Sequence, residues 1–179
     1  MTNIRLPLES YVDLEIHNLY NERTAKGYPA EQVMESIYAR GRDNARTPMQ
    51  WDDSPNAGFT TGKPWLPVNP NYRQINAKAA LADENSVFHY YRKLIALRKS
   101  TPVISHGDFT LLEPEDENVF AYLREDETSR LLVVCNFTDQ EQPWTLPGEF
   151  RDGECLISNY PDAAAQLRPY EARMLLVRK

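Results

Sequence analysis

Apolar and polar positions along the chain fall into two textures. Over residues 11–26, Val12, Ile16, Leu19 and Tyr20 recur at three and four residues, the spacing of one helix face, and Gly27-Tyr28-Pro29 ends the pattern. A second helix is predicted from Pro29 or Ala30 to Arg40. Pro29 suits a first turn, Glu31 sits where the helix dipole favours an anion, and Val33, Met34, Ile37 and Tyr38 form an apolar stripe. Two short amphipathic helices of this kind are expected to pack on something larger. Asn76 can cap a short helix through Lys78-Ala79-Ala80-Leu81-Ala82. A stronger helix follows over residues 86–99, where Val87, Phe88, Tyr91, Leu94 and Ile95 make a broad face that demands a partner surface. Lys93, Arg98 and Lys99 favour its C-terminal end, and Thr101-Pro102 closes it.

Near Pro102 the texture changes. Short apolar runs at residues 109–112, 119–124, 131–137, 142–146, 154–158 and 172–177 alternate with turn-forming residues. A spacing of roughly 8–12 residues predicts an antiparallel β-sandwich. Leu131-Leu132-Val133-Val134-Cys135 is apolar at successive positions and is expected to be a central strand covered on both faces. The boundary between the two parts is placed near residues 101–106, giving parts 1–102 and 103–179. Residues 103–179 carry a core of their own, whereas residues 1–75 are expected to be loosely held without a larger body.

Between the helical regions runs a stretch that is neither helix nor strand. Pro48, Pro55, Gly58, Gly62, Pro64 and Pro67 exclude a long helix or a central strand there. Met49, Trp51, Phe59 and Trp65 interleave with Arg42, Asp43, Asn44, Arg46, Gln50, Asp52 and Asp53, which suits a structured, partly buried loop. Aromatic faces can pack on a sugar ring, while guanidinium, carboxylate and amide groups can satisfy its hydroxyls. The plain alternative is a loop held to its own domain by Trp51 and Trp65. Asp52-Asp53 and Glu115-Asp116-Glu117 read as solvated turns.

The words in this stretch carry more than their composition. Arg42-Asp43-Asn44-Ala45-Arg46-Thr47-Pro48-Met49-Gln50-Trp51, then Asn56-Ala57-Gly58-Phe59-Thr60, Pro64-Trp65 and Val68-Asn69-Pro70-Asn71-Tyr72, resemble the α-glucosidase branch of the α-amylase superfamily, glycoside hydrolase family 13. Oligo-1,6-glucosidase, trehalose-6-phosphate hydrolase and sucrose isomerase share this passage. Met1-Thr2-Asn3 looks like the end of the family's passage after barrel strand eight, and Leu167-Arg168-Pro169-Tyr170-Glu171-Ala172 like its last strand. The resemblance covers essentially the whole chain and implies an α+β portion of a larger enzyme. That portion would be the end of a (β/α)8 barrel, with its last helix at residues 86–99, followed by an antiparallel β-sandwich C-terminal domain.

The resemblance also implies site residues. Arg46 matches the arginine that helps hold the non-reducing glucose, a task suited to its rigid fork of donors. Asp13 matches an acidic residue near the next subsite, although Tyr11-Val12-Asp13 departs from the family's Tyr-Arg-Asp context. A structural ion pair for Arg46, with Asp43 as its candidate partner, and a helix N-terminal carboxylate for Asp13 are the plain alternatives. The family's nucleophile, acid/base and third essential acid lie on barrel strands four, five and seven, all preceding the point that matches Met1. This chain alone is therefore expected not to hydrolyse a glycoside. The parent activity implied is exo-acting, retaining release of terminal α-linked glucose from short oligosaccharides. The substrate linkage stays open among α-1,6, α-1,4, trehalose 6-phosphate and sucrose. A non-catalytic carbohydrate-binding β-sandwich module is the reading from a different class.

Composition narrows the field further. At 179 residues the chain is too short for a complete (β/α)8 barrel, which needs roughly 200 or more. Net charge is −6 with the signs interspersed, so neither nucleic acid nor an anionic membrane is an expected partner. No apolar run approaches a membrane span, and the first residues lack the apolar segment of a signal peptide. Cys135 and Cys155 lie in strand-like runs without ligand spacing and are expected to be reduced core residues, consistent with a cytoplasmic protein, a bridge between neighbouring strands being the alternative. His17, His89 and His106 lack metal-ligand spacing. No Gly-rich phosphate loop is present, so no cofactor is expected.

Overall fold

The computed structural model describes residues 2–162 and 166–179. The chain divides into two compact units, Met1–Ser86 and Val87–Lys179.

In the first unit, helix α1 spans Leu14–Ala25 and α2 spans Ala30–Arg40. Helix α1 begins three residues later than its apolar spacing predicts. Asp13 takes the cap position instead, and its carboxylate accepts a hydrogen bond from the Glu15 N–H, satisfying a donor that the helix leaves orphaned. The two helices bury Ile16, Val33 and Ile37 together with Ile4, Leu6 and Tyr11 from the preceding segment. The first unit thus has a small core of its own. Helix α3 spans Ala77–Ala82, and the Asn76 carboxamide oxygen caps it by accepting from the Ala79 N–H at 2.8 Å.

The loop joining α2 to α3 contains only short 3-10 turns at Arg42–Ala45, Pro55–Gly58 and Pro70–Arg73. Its two tryptophans do not hold it, because Trp51 is 53% and Trp65 60% exposed. Buried amides do that work. Gln50 donates to the Asn71 side chain and the Ile75 carbonyl, and Asn69 donates to the Thr2 carbonyl. The turn at Asn56, Ala57 and Gly58 is left-handed at three successive residues. The φ of 67° at Gly58 favours glycine, and a Cβ there would also have to displace the Asp52 carboxylate, 2.8 Å away. Ala57, fully buried, tolerates its φ of 57° because its carbonyl receives the N–H groups of Trp51 and Asp52.

The second unit contains helix α4 at Val87–Ser100, helix α5 at Pro102–His106 and one five-stranded sheet. Helix α5 is an addition to the sequence reading. Pro102 ends α4, and the same residue suits the first turn of the next helix. The strands are β1 at Asp108–Leu112, β2 at Val119–Glu125, β3 at Ser129–Asn136, β4 at Glu154–Ser158 and β5 at Ala172–Arg178. Their order is β1-β2-β3-β5-β4, antiparallel throughout. Strand β3 is central, as its doubly apolar sequence requires. Leu131 and Val133 meet Val103 of α5, Met174 and Leu176 of β5, and the partly buried Tyr90, Leu94 and Leu97 of α4. Leu132 and Val134 point to the other face and pack against Phe150, Leu167 and the partly buried Trp144.

The expected strand at residues 142–146 forms only a single bridge, Gln142 to Leu167. Pro143 and Pro147 cannot donate to a ladder, so this stretch lies over the sheet as irregular chain. The predicted sandwich is therefore sandwich-like, with an antiparallel sheet between two helices on one face and irregular chain on the other. Leu94 of the face predicted for α4 turns inward, while Val87, Phe88, Tyr91 and Ile95 remain exposed. Cys135 and Cys155 are both free thiols. Cys155 is exposed rather than in the core, because β4 is an edge strand with a bulge between Cys155 and Ile157.

Beside β5, Glu171 is fully buried between the guanidinium groups of Arg168, at 3.1 Å, and Arg173, at 2.6 Å. Burial opposes its ionisation, but these charge-assisted bonds outweigh it and hold its pKa at about 2. A depressed folded-state pKa stabilises above the ordinary glutamate range and ceases to do so as pH falls through about 2. Glu171→Gln is accordingly expected to lower unfolding free energy near neutral pH by about 3–5 kcal/mol, the usual cost of breaking a buried pair. Denaturant unfolding at pH 7 and pH 2 checks this. The variant should approach wild type at the lower pH, and an equal gap at both would contradict the assignment.

Candidate functional site

The turn that leaves α2 is positioned by a close approach. A Cβ at Gly41 would lie 2.7 Å from the Ile37 carbonyl oxygen and 3.0 Å from the Ile16 Cδ1. With no side chain there, the chain passes under α1 and delivers Arg42, Asp43 and Arg46 to the N-terminal end of that helix. Asp13 and Glu15 are already there.

The result is a compact cluster of charges. Arg42 grips Asp13 in a fork, Nε to Oδ2 at 2.8 Å and Nη2 to Oδ1 at 2.9 Å, and its Nη2 lies 3.1 Å from the Glu15 carboxylate. The Asp13 side chain is only 3% exposed. The Arg42 hydrogen bonds are the main reason its pKa drops to about 2; burial opposes them, and the Glu15 N–H assists. Asp43 is fully buried. Its Oδ2 accepts from the N–H groups of Val12 at 2.8 Å and Asp13 at 3.0 Å, and its Oδ1 accepts from Arg46 Nη1 at 3.3 Å. Arg46 Nη1 also lies 3.4 Å from Asp13 Oδ2, and its side chain is 40% exposed. The neighbouring Asn44 ties the turn down through its own amide, accepting from the Ile4 N–H and donating to the Tyr38 carbonyl.

The structure thus brings Arg46 and Asp13, which the sequence reading singled out, into one cluster and adds Arg42 and Asp43 to it. Arg46 keeps a solvent-facing side. Asp13 is capped, forked and almost wholly covered, and so meets solvent far less than Arg46 does. A groove of about 370 Å³ between α1 and α2 is lined by Asp13, Glu15 and Arg42 among others, and Arg46 does not line it. Asp52 and Asp53 behave as surface residues. Asp52 accepts from the Ser54 N–H, and Asp53 pairs with Lys78 at 3.1 Å. Among the described residues, no group of three His, Cys, Asp or Glu side chains is arranged to hold a metal ion. Sequence reading missed the fork from Arg42 to Asp13, whose partners are separated by a whole helical hairpin. The one local signal was the Asp43-Asn44 pair two residues after the helix-ending Gly41, where short polar side chains tend to serve backbone N–H groups.

Comparison with known proteins places this architecture. Residues 2–107 match the alpha amylase catalytic domain and residues 109–174 the maltogenic amylase C-terminal domain, so the chain belongs to the α-amylase family and comprises the end of its barrel and a C-terminal sheet domain. Among individual relatives, the oligo-1,6-glucosidase of Parageobacillus thermoglucosidasius is 50% identical over 99% of this chain and 34% of its own length. The trehalose-6-phosphate hydrolase of Bacillus subtilis is 43% identical over 96% of this chain and 32% of its own. The crystal structure of Bacillus licheniformis trehalose-6-phosphate hydrolase superposes with a TM-score of 0.92 at 38% identity, covering 100% of this chain and 34% of that one. The trehalulose synthase of Pseudomonas mesoacidophila gives 0.89 at 40% identity, covering 100% and 34%. The chain spans about a third of the length of these relatives.

If Arg42 is what keeps Asp13 ionised, Arg42→Ala should release the carboxyl from about 2 toward the ordinary aspartate range or above it, since burial then acts with less opposition. Carbon-detected NMR titration of the Asp13 carboxyl measures this directly. A carboxyl that still titrates near 2 in the variant would show that Arg42 is incidental.

Proposed function

We propose that the chain is the C-terminal portion of an exo-acting, retaining α-glucosidase of the oligo-1,6-glucosidase type, which hydrolyses terminal α-linked glucose from short oligosaccharides in the cytoplasm. The observation that carries this reading is 50% identity to an oligo-1,6-glucosidase over nearly the whole chain. In this reading the chain supplies one wall of the sugar pocket and the domain that follows the barrel. The reacting acids come from the barrel portion upstream, which the chain needs for a complete site.

The carboxylates at hand support that division of labour. Glycoside hydrolysis calls for two carboxyl groups across the scissile bond, one of them protonated to serve as acid. Asp13, with a pKa of about 2 and both oxygens bound by Arg42, is ionised at any working pH and has no proton to give. Asp43 is enclosed and committed to backbone N–H groups. Arg46 is suited to binding instead. Its exposed guanidinium edge can donate to hydroxyls of the terminal glucose, while Asp13 belongs to the same wall and acts from beneath the two arginines. No step in this chain's share calls for a cofactor.

Two measurements test the proposal. The purified chain should show no turnover of p-nitrophenyl α-glucoside or isomaltose above a buffer blank, and turnover would place reacting acids within these residues. In the complete enzyme, this chain preceded by its barrel, Arg46→Gln should lower kcat/KM by about 30-fold or more, as expected when a charged hydrogen-bond donor to a sugar hydroxyl is lost. Unchanged kinetics would remove Arg46 from the pocket wall.

A further inference from the structure

The sheet face that carries the two helices is covered over only part of its width. Across β3, β5 and β4 it is closed, and Leu131, Val133, Met174, Leu176 and Ile157 are buried there under α4 and α5. Toward the free edge of β1 the cover stops. Leu111 lies directly opposite Tyr122, and positions two apart along a strand share a face. Phe109 and Leu111 of β1 and Phe120 of β2 therefore stand on the same face as Tyr122. All three are exposed. The rings of Phe109 and Phe120 have their centroids 5.2 and 5.6 Å from that of Tyr122, and Tyr122 packs against the core beneath the helices. The exposed residues are one contiguous apolar margin of that core, a feature that marks an interaction surface.

Helix α4 shows what adjoins this margin. None of its 14 residues is fully buried; Tyr90, Leu94 and Leu97 turn to the sheet, while Val87, Phe88, Tyr91 and Ile95 stay uncovered. It lies within the residues that match the alpha amylase catalytic domain, and in a (β/α)8 barrel each helix stands in a ring beside two others. The chain spans only 34% of an oligo-1,6-glucosidase, so most of that relative's ring is built from residues outside the matched third. A sugar fits the margin poorly, because its aromatic members lack polar neighbours for hydroxyls. Arg124, opposite Phe109, spends Nη2 on the Gly107 carbonyl, and Cys135 stands opposite Phe120. From this we infer that the margin of Phe109, Leu111 and Phe120 is the seat of a barrel helix adjoining α4, supplied by chain that precedes Met1. The sheet domain thus grips two neighbouring helices of the ring, one belonging to this chain and one not. The inference rests on the reading above that a barrel precedes these residues.

Thiol accessibility tests the seat. Phe109→Cys and Leu111→Cys are each labelled with a maleimide in the 179-residue chain and in the complete enzyme, and peptide mass spectrometry separates each site from Cys135 and Cys155. In the complete enzyme both introduced thiols are expected to label at least about tenfold more slowly than in the isolated chain, because reaction must wait for the domains to part. Equal rates would show an open margin and overturn the inference. Protection that appears in the isolated chain as its concentration rises would assign the margin to a second copy, and protection of the isolated chain by maltotriose would assign it to a sugar. Either result overturns the inference too. Slower labelling of half-buried Cys135 than of exposed Cys155 shows that the sheet is folded in the isolated chain; where it is not, Cys155 in the complete enzyme is the reference rate. Turnover of p-nitrophenyl α-glucoside by the same enzyme is read in parallel. Its absence would overturn the glucosidase reading, whereas the labelling rates decide the seat in either case.

Discussion

Two covered carboxylates at the start of α1 need cations, and the turn after α2 supplies them. The pairing of Asp13 and Asp43 with Arg42 and Arg46 links the segment before α1 to the turn after α2, so the helical hairpin is closed by charge at its open end and by Ile16, Val33 and Ile37 within. Buried ion pairs are costly unless their geometry is good and their remaining valences are filled. Here those conditions are met, since Arg42 forks, Asp43 receives two backbone donors and Asp13 caps a helix. The same commitments that make the cluster stable hold the Asp13 pKa at about 2 and leave that carboxylate without a proton to donate. What remains available to a ligand is a guanidinium edge.

The second unit is stabilised by a different means. Its sheet is covered on both faces by side chains from within the unit, with Leu131 and Val133 turned one way and Leu132 and Val134 the other. Because a slip of one residue in that strand would exchange apolar side chains for apolar ones, its register rests on the shapes packed on each face rather than on alternation. Buried polar groups interrupt that apolar arrangement at Glu171, held by Arg168 and Arg173, and at Asn136, which donates to the Gln140 and Arg168 carbonyls.

Much of this was legible in the sequence where a local rule governs. Helix α2, strand β4 and the Asn76 cap follow from periodicity and capping chemistry, and Leu131-Leu132-Val133-Val134 announces a central strand by its lack of alternation. Where long-range partners decide, local rules fell short. Apolar character alone suggested a strand at residues 142–146, but Pro143 and Pro147 leave too few donors for a ladder. Trp51 and Trp65 were natural candidates for anchoring their loop, yet buried amides such as Gln50 and Asn69 do so, with partners many residues away. Within the candidate site, Arg46 and Asp13 came from resemblance to a family, whereas the fork from Arg42 and the enclosure of Asp43 required coordinates.

In the proposed function this chain lines a sugar pocket without supplying the acids that react in it. The most direct measurement is a crystal structure of the complete enzyme with a bound, slowly hydrolysed α-glucoside. The account predicts the Arg46 guanidinium within hydrogen-bonding distance of hydroxyls on the terminal glucose, and no Asp or Glu of these 179 residues beside the anomeric carbon or the glycosidic oxygen. A carboxylate from this chain at either atom, or a glucose bound away from Arg46, would contradict it.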